Sequence, residues 1–164
     1  MEYKKQNLSF YDPEQVPSAA SMRMGIVVSE WNKEITGALL DSVVKTLKLH
    51  GAKKENIYVQ YVPGSFELPQ GAAYMIDQLD IDAVICLGCV IQGETRHFEF
   101  ICQAVSQGIM NLGLDSGIPV IFGVLTTDNF SQARERSGGV HGNKGDEAAV
   151  TAIKMVDLKK RLGA

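Results

Sequence analysis

Short apolar runs and helical stripes alternate along most of the chain. Four runs rich in Val, Ile and Leu read as strands, at 24–28, 57–62, 83–87 and 120–125. Three are nearly continuous in apolar residues, the pattern of parallel strands buried on both faces. The run Ile57-Tyr58-Val59-Gln60-Tyr61-Val62 is mixed and suits a place nearer an edge. Between the strands, Ile35, Leu39, Leu40, Val43 and Leu47 recur at helical spacing and stop near His50-Gly51. Pro69 suits the first turn of a second helix reaching about Leu79. Phe98, Ile101, Cys102, Val105, Ile109 and Leu112 mark a third, opened by Gly93-Glu94-Thr95 and ending near Gly113. Residues 129–136 form a short helix behind Asp128. The last helix, 146–162, has acids in its first turn and Lys159, Lys160 and Arg161 in its last, matching the helix dipole.

Strand and helix in alternation predict an α/β fold: a flavodoxin-like three-layer sandwich with a central four-stranded parallel sheet and helices on both faces. Residues 1–23 are polar and broken by Pro13 and Pro17, so they read as an extended N-terminal arm. Residues 24–164 read as one domain, with no internal repeat or linker to divide them. A length of 164 residues, 45% hydrophobic and 21% charged, fits one globular unit. Sixteen Lys and Arg against nineteen Asp and Glu leave a net charge of −3, which argues against a broad nucleic-acid-binding face. No apolar run approaches the roughly 18 residues of a membrane span. The amino terminus lacks the apolar core of a secretory signal. Three cysteines are an odd count that makes no disulfide framework, so a reduced, cytoplasmic protein is expected.

In such folds ligands bind beyond the carboxyl ends of the strands. After the first strand come Ser29-Glu30-Trp31-Asn32, with the chain's one tryptophan. After the second comes Pro63-Gly64-Ser65-Phe66-Glu67-Leu68-Pro69, and after the third Gly88-Cys89-Val90-Ile91-Gln92-Gly93-Glu94-Thr95-Arg96-His97. Around the end of the fourth lie Phe122-Gly123-Val124-Leu125-Thr126-Thr127-Asp128. Trp31, Phe66 and Phe122 can wall a flat heterocycle, or simply bury area as most aromatics do. Glu67 can accept from sugar-like hydroxyls, and the backbone of Cys89, Val90 and Ile91 can read a ring edge. Glu94 and Thr95, at a helix start, either serve an anion or cap the helix. His97, an imidazole within a strand-to-helix turn, suits proton transfer; His50 and His141, beside glycines, read as loop residues. In the glycine-rich stretch 134–145, Arg136 can grip a phosphate bidentately and Lys144 as a point charge, or both are solvated in a hinge. Cys86-Leu87-Gly88-Cys89 lies within a strand and lacks a second cysteine pair, so neither redox nor metal chemistry is expected of it. No Walker A loop, dinucleotide fingerprint or nucleophile elbow is present.

At these residues the sequence resembles the 6,7-dimethyl-8-ribityllumazine synthase family. The stretches 63–69, 88–98, Thr126-Thr127-Asp128-Asn129 and Gly142-Asn143-Lys144-Gly145 carry the likeness. The resemblance implies a cofactor-free condensation of 5-amino-6-(D-ribitylamino)uracil with 3,4-dihydroxy-2-butanone 4-phosphate, the penultimate step of riboflavin biosynthesis. It implies that Trp31 stacks on the pyrimidine, with Asn32 a secondary contact. Ser65, Phe66 and Glu67 would hold ring and ribityl chain, and Cys89, Val90 and Ile91 the ring edge. Glu94, Thr95 and Arg136 would bind phosphate, with His97 transferring protons. It implies a homopentamer whose sites lie between subunits, Phe122, Arg136 and Lys144 coming from the neighbour, and whose N-terminal arm adds a strand to a neighbour's sheet. The absence of an insertion between Arg136 and Gly145 is similar to members forming icosahedral shells, which can enclose riboflavin synthase. Gln92, Arg96 and Val140 depart from common members and bear on the phosphate environment. A lumazine- or flavin-binding module, a shell subunit with vestigial chemistry and an archaeal-type riboflavin synthase are the alternatives. His97 together with a phosphate subsite favours the synthase.

Overall fold

The computed structural model describes residues 7–164, so the first six residues of the expected arm lie outside the described residues. The strands β1 (Met24–Ser29), β2 (Ile57–Val62), β3 (Ala83–Ile91) and β4 (Val120–Thr127) form one sheet in the order β2-β1-β3-β4. Every pairing in it is parallel: β1 carries Met24 opposite Ile57 on one side and opposite Ala83 on the other. β3 continues along β4 from Val84 opposite Val120 to Ile91 opposite Thr127. The mixed run 57–62 is an edge strand, as its half-exposed side chains require. The chain leaves β1 toward β2 and later returns to place β3 on β1's other flank. The order therefore reverses between β1 and β3, where doubly wound sheets open a crevice.

Alternation along the strands sends side chains to two separate cores. Ile26, Val28, Ile85 and Leu87 pack with α1 (Lys33–Leu49) and α5 (Lys144–Arg161). Val27, Val84 and Cys86 pack with α2 (Leu68–Gln78) and α3 (His97–Ser116). These are the two helical layers of the sandwich. A short α4 (Phe130–Glu135) follows β4 and leads into a small antiparallel hairpin, β5 (Ser137–Gly139) and β6 (Gly142–Asn143).

Element ends differ from the sequence pattern in ways that matter for the site. β3 does not stop at 87 but runs to Ile91, and β4 does not stop at 125 but runs to Thr127. Each supplies the partner the other needs, Val90 opposite Thr126 and Ile91 opposite Thr127. α3 begins at His97, so 93–96 form a loop in front of it. It ends at Ser116 with Gly117 as a left-handed cap at φ 68°, and Gly113 lies inside it. α5 starts at Lys144, capped by Asn143, whose side chain accepts from Gly145 N–H at 2.8 Å. Residues 7–23 lie along their own chain. Ala19 and Met22 are buried in the α1/α5 core, and Tyr11 Oη is 3.0 Å from His50 Nε2. Leu8 N–H donates to the His141 carbonyl at 2.7 Å. The two prolines of this stretch mark an irregular backbone, but Val16, Ala19 and Met22 still reach the core, while Phe10 stays exposed.

Candidate active site at the strand ends

Beyond the ends of β1 and β2 two loops meet, and backbone hydrogen bonds fix their relation. Glu30 N–H donates to the Val62 carbonyl at 2.8 Å and Trp31 N–H to the Pro63 carbonyl at 3.1 Å, so the β1–α1 loop hangs on the β2–α2 loop. The Trp31 ring is two-thirds exposed and lies over Gly64, where a Cβ would come 2.5 Å from Cε3. With the ring in this place only glycine fits at 64. The following residues, Ser65–Glu67, make one 3-10 turn closed by Glu67 Oε2, which accepts from Gly64 N–H at 3.0 Å. Phe66 stands exposed beside it.

Ser65 is buried and its hydroxyl has no hydrogen-bond partner among the described residues. It rests on Gly88 of β3, where a Cβ would come 2.5 Å from its Oγ. A buried hydroxyl without a partner is uncommon in a folded chain, and here it lies directly beneath the exposed Phe66 turn. β3 contributes backbone. Gln92 N–H bonds to the Thr127 carbonyl, on the β4 side. Residues of a parallel strand address alternate neighbours, so Cys89 and Ile91 turn their peptide groups toward β1, whose pairing ended at Leu87. The backbone groups of 89–91 are thus the end of a strand that has outrun its neighbour, not the loop expected after residue 87.

The loop 93–96 is exposed, and the Gln92 carboxamide donates to the Gly93 carbonyl at 2.8 Å and toward the Thr95 carbonyl at 3.4 Å. The N–H groups of Gly93, Glu94, Thr95 and Arg96 have no acceptor among the described residues. Such a run of free donors before a helix suits an anion. His97, the first residue of α3, is exposed at the same rim, with its N–H 3.4 Å from Thr95 Oγ1.

Phe122 does not join Trp31 and Phe66. Since β4 extends to Thr127, Phe122 sits well before the strand end, in a groove of about 650 Å³ along α3, β4 and α5. It shares that groove with Ser106 and Ile109, more than two turns of α3 beyond His97. Arg136 caps α4, its Nη1 donating to the Gln132 carbonyl at 3.2 Å, and Lys144 Nζ pairs with Glu147 at 2.6 Å. Both basic residues therefore flank the hairpin, with Lys144 N–H donating to the Arg136 carbonyl at 2.9 Å.

Burial pushes the Cys86 thiol far up and the Cys89 thiol up to about 11, so both stay neutral at physiological pH. Among the described residues no group of three or more His, Cys, Asp or Glu is placed to hold a metal, and no helix is long and apolar enough to cross a membrane. Sequence reasoning passed over Gly64 and Gly88 as site residues. Their only signal is a glycine at the end of a strand pattern, which marks close approach of another group.

The profile of the family described as 6,7-dimethyl-8-ribityllumazine synthase matches residues 21–160. A protein of Phocaeicola vulgatus with that name is 56% identical over 156 residues, 95% of this chain and 93% of the relative. One of Porphyromonas gingivalis is 54% identical over 154 residues, 94% of this chain and 96% of the relative. One of Parabacteroides distasonis is 57% identical over 153 residues, 93% and 96% respectively.

Proposed function

The chain belongs to the 6,7-dimethyl-8-ribityllumazine synthase family, and from that premise we propose which of its residues perform the condensation. The enzyme joins 5-amino-6-(D-ribitylamino)uracil to 3,4-dihydroxy-2-butanone 4-phosphate, releasing phosphate and water, as the family's activity requires. The observation that carries the residue assignment is the convergence of Trp31, the Ser65–Glu67 turn and the end of β3 at the β1/β3 reversal.

Trp31 stacks on the pyrimidine, and the Cys89–Ile91 backbone, with Val90 between, reads its edge. The unpartnered Ser65 hydroxyl, the second oxygen of Glu67 and the ring of Phe66 hold the ribityl chain. The free N–H groups of 93–96, with the Thr95 hydroxyl, receive the phosphate of the ketone. The aminopyrimidine nitrogen attacks the ketone carbon, and loss of water gives the imine. Departure of phosphate and ring closure with loss of a second water complete the lumazine. His97, at the rim of both subsites, moves the protons of these steps.

We further propose a homopentamer, with Phe122, Arg136 and Lys144 completing a neighbour's pocket. Two facts support it: Phe122 lies apart from Trp31 and Phe66, and β4, a sheet edge, borders an apolar groove with Met110 and Leu114 exposed. The cytoplasm as the site of the reaction and a shell built of pentamers belong to the same proposal.

The amine and ketone are intrinsically reactive, so holding them together supplies much of the acceleration. His97→Ala should accordingly lower kcat about 100-fold and leave measurable activity, followed by lumazine absorbance after the two substrates are mixed. An unchanged kcat removes His97 from proton transfer. Arg136→Ala should raise KM for the phosphorylated ketone; a rise confined to the pyrimidine KM would contradict its assignment.

A further inference from the structure

Asn32 is the one non-glycine residue in the left-handed region among the described residues, at φ 59° and ψ 45°. It precedes α1, where an asparagine would ordinarily be extended and cap the helix with its side chain. Here it makes no cap hydrogen bond. Its carboxamide Nδ2 instead crosses the β1/β3 reversal and donates to the Cys89 carbonyl at 3.1 Å.

That carbonyl is where β3 has outrun β1. Pairing between the two ends at Val28 opposite Leu87, and Glu30 has already turned to β2. The Asn32 amide takes the place of the strand N–H that β1 no longer supplies. Trp31 is thereby held from two sides, through its own N–H on Pro63 and through its neighbour's side chain on Cys89. A left-handed residue that forgoes its cap is an unfavourable local choice, kept where surrounding contacts determine it.

We propose that Asn32 is a positioning residue. Its carboxamide, anchored on the Cys89 carbonyl, fixes the plane in which Trp31 stands over the pyrimidine subsite. This rests on the assignment of Trp31 to that subsite, and it deepens the assignment by giving Asn32 work other than touching substrate.

Trp31 is the only tryptophan in the chain, so its fluorescence reports the loop without interference. Asn32→Gly keeps the left-handed backbone and removes the bridge. Asn32→Asp keeps shape and backbone but turns an oxygen on the Cys89 carbonyl oxygen. In the ligand-free full-length protein both substitutions should lower Trp31 anisotropy and shift its emission. Both should raise the pyrimidine KM about tenfold, the scale of one hydrogen bond, and leave the KM of the phosphorylated ketone within about twofold. Unchanged anisotropy and pyrimidine KM in both variants would overturn the proposal, as would both KM values rising together. Failure of both variants to fold would assign Asn32 to the fold instead and overturn it equally. A wild-type protein that turns over no substrate would sink the catalytic reading, whereas the anisotropy comparison still decides whether Asn32 holds Trp31.

Discussion

Trp31 and Gly64 show how narrowly a single side chain can be constrained. The indole edge occupies the volume a Cβ on residue 64 would fill, 2.5 Å from Cε3 and 2.6 Å from Cζ3. Gly64→Ala must therefore push the ring aside. Because Trp31 is largely exposed, the ring can yield without opening the core, so stability should change by less than about 1 kcal/mol. The pyrimidine KM should nevertheless rise, and the Trp31 emission should shift in the same variant. A melting temperature that falls steeply with unaltered emission would show that the indole is not the group displaced. At this scale the sequence was informative about chemical type but not about contact. Trp31, Ser65, Glu67 and His97 are visible because their side chains carry chemistry beside a strand end. Asn32 and Gln92 carry no such chemical signal, and only the family resemblance pointed to them, since what distinguishes them is which carbonyl each amide reaches.

Among the elements, strands buried on both faces were legible because their runs are dominated by Val, Ile, Leu and Cys, as such positions demand. Their ends were not. Val90, Thr126 and Thr127 have no pattern that separates strand from loop, and they become strand only through mutual pairing. The β5/β6 hairpin was equally hidden: it is too short for a period and is supported from outside, with Ser9 Oγ accepting from Asn143 N–H at 2.8 Å. Asn143 then does a second job for the next element. Its Oδ1 accepts from Gly145 N–H at 2.8 Å and its Nδ2 donates to the Ala38 carbonyl at 3.2 Å, tying the start of α5 to α1. Asn143→Ala removes both bonds and should cost about 1–2 kcal/mol, read as a lower urea midpoint with an unchanged slope. A loss too small to detect would mean the α1–α5 packing alone sets the start of α5.

For the molecule as a whole, α3 is more apolar than one sheet face demands. Val105 and Ile109 are buried, yet Phe100, Met110 and Leu114 remain more than half exposed. A helix apolar on several sides has more than one surface to cover. The groove it forms with β4 and α5 also holds Phe122, well away from Trp31 and His97. In a ring where that groove's side of one chain completes the pocket of the next, damage is shared out rather than confined. Chains carrying His97→Ala and chains carrying Arg136→Ala, each slow alone when the ketone is held well below the raised KM, would on random co-assembly leave about one pocket in four with both halves sound. Turnover recovered on unfolding and refolding the two together, but not on mixing preformed particles, would reveal such borrowing. Two separate defects could then hide one another within a single ring.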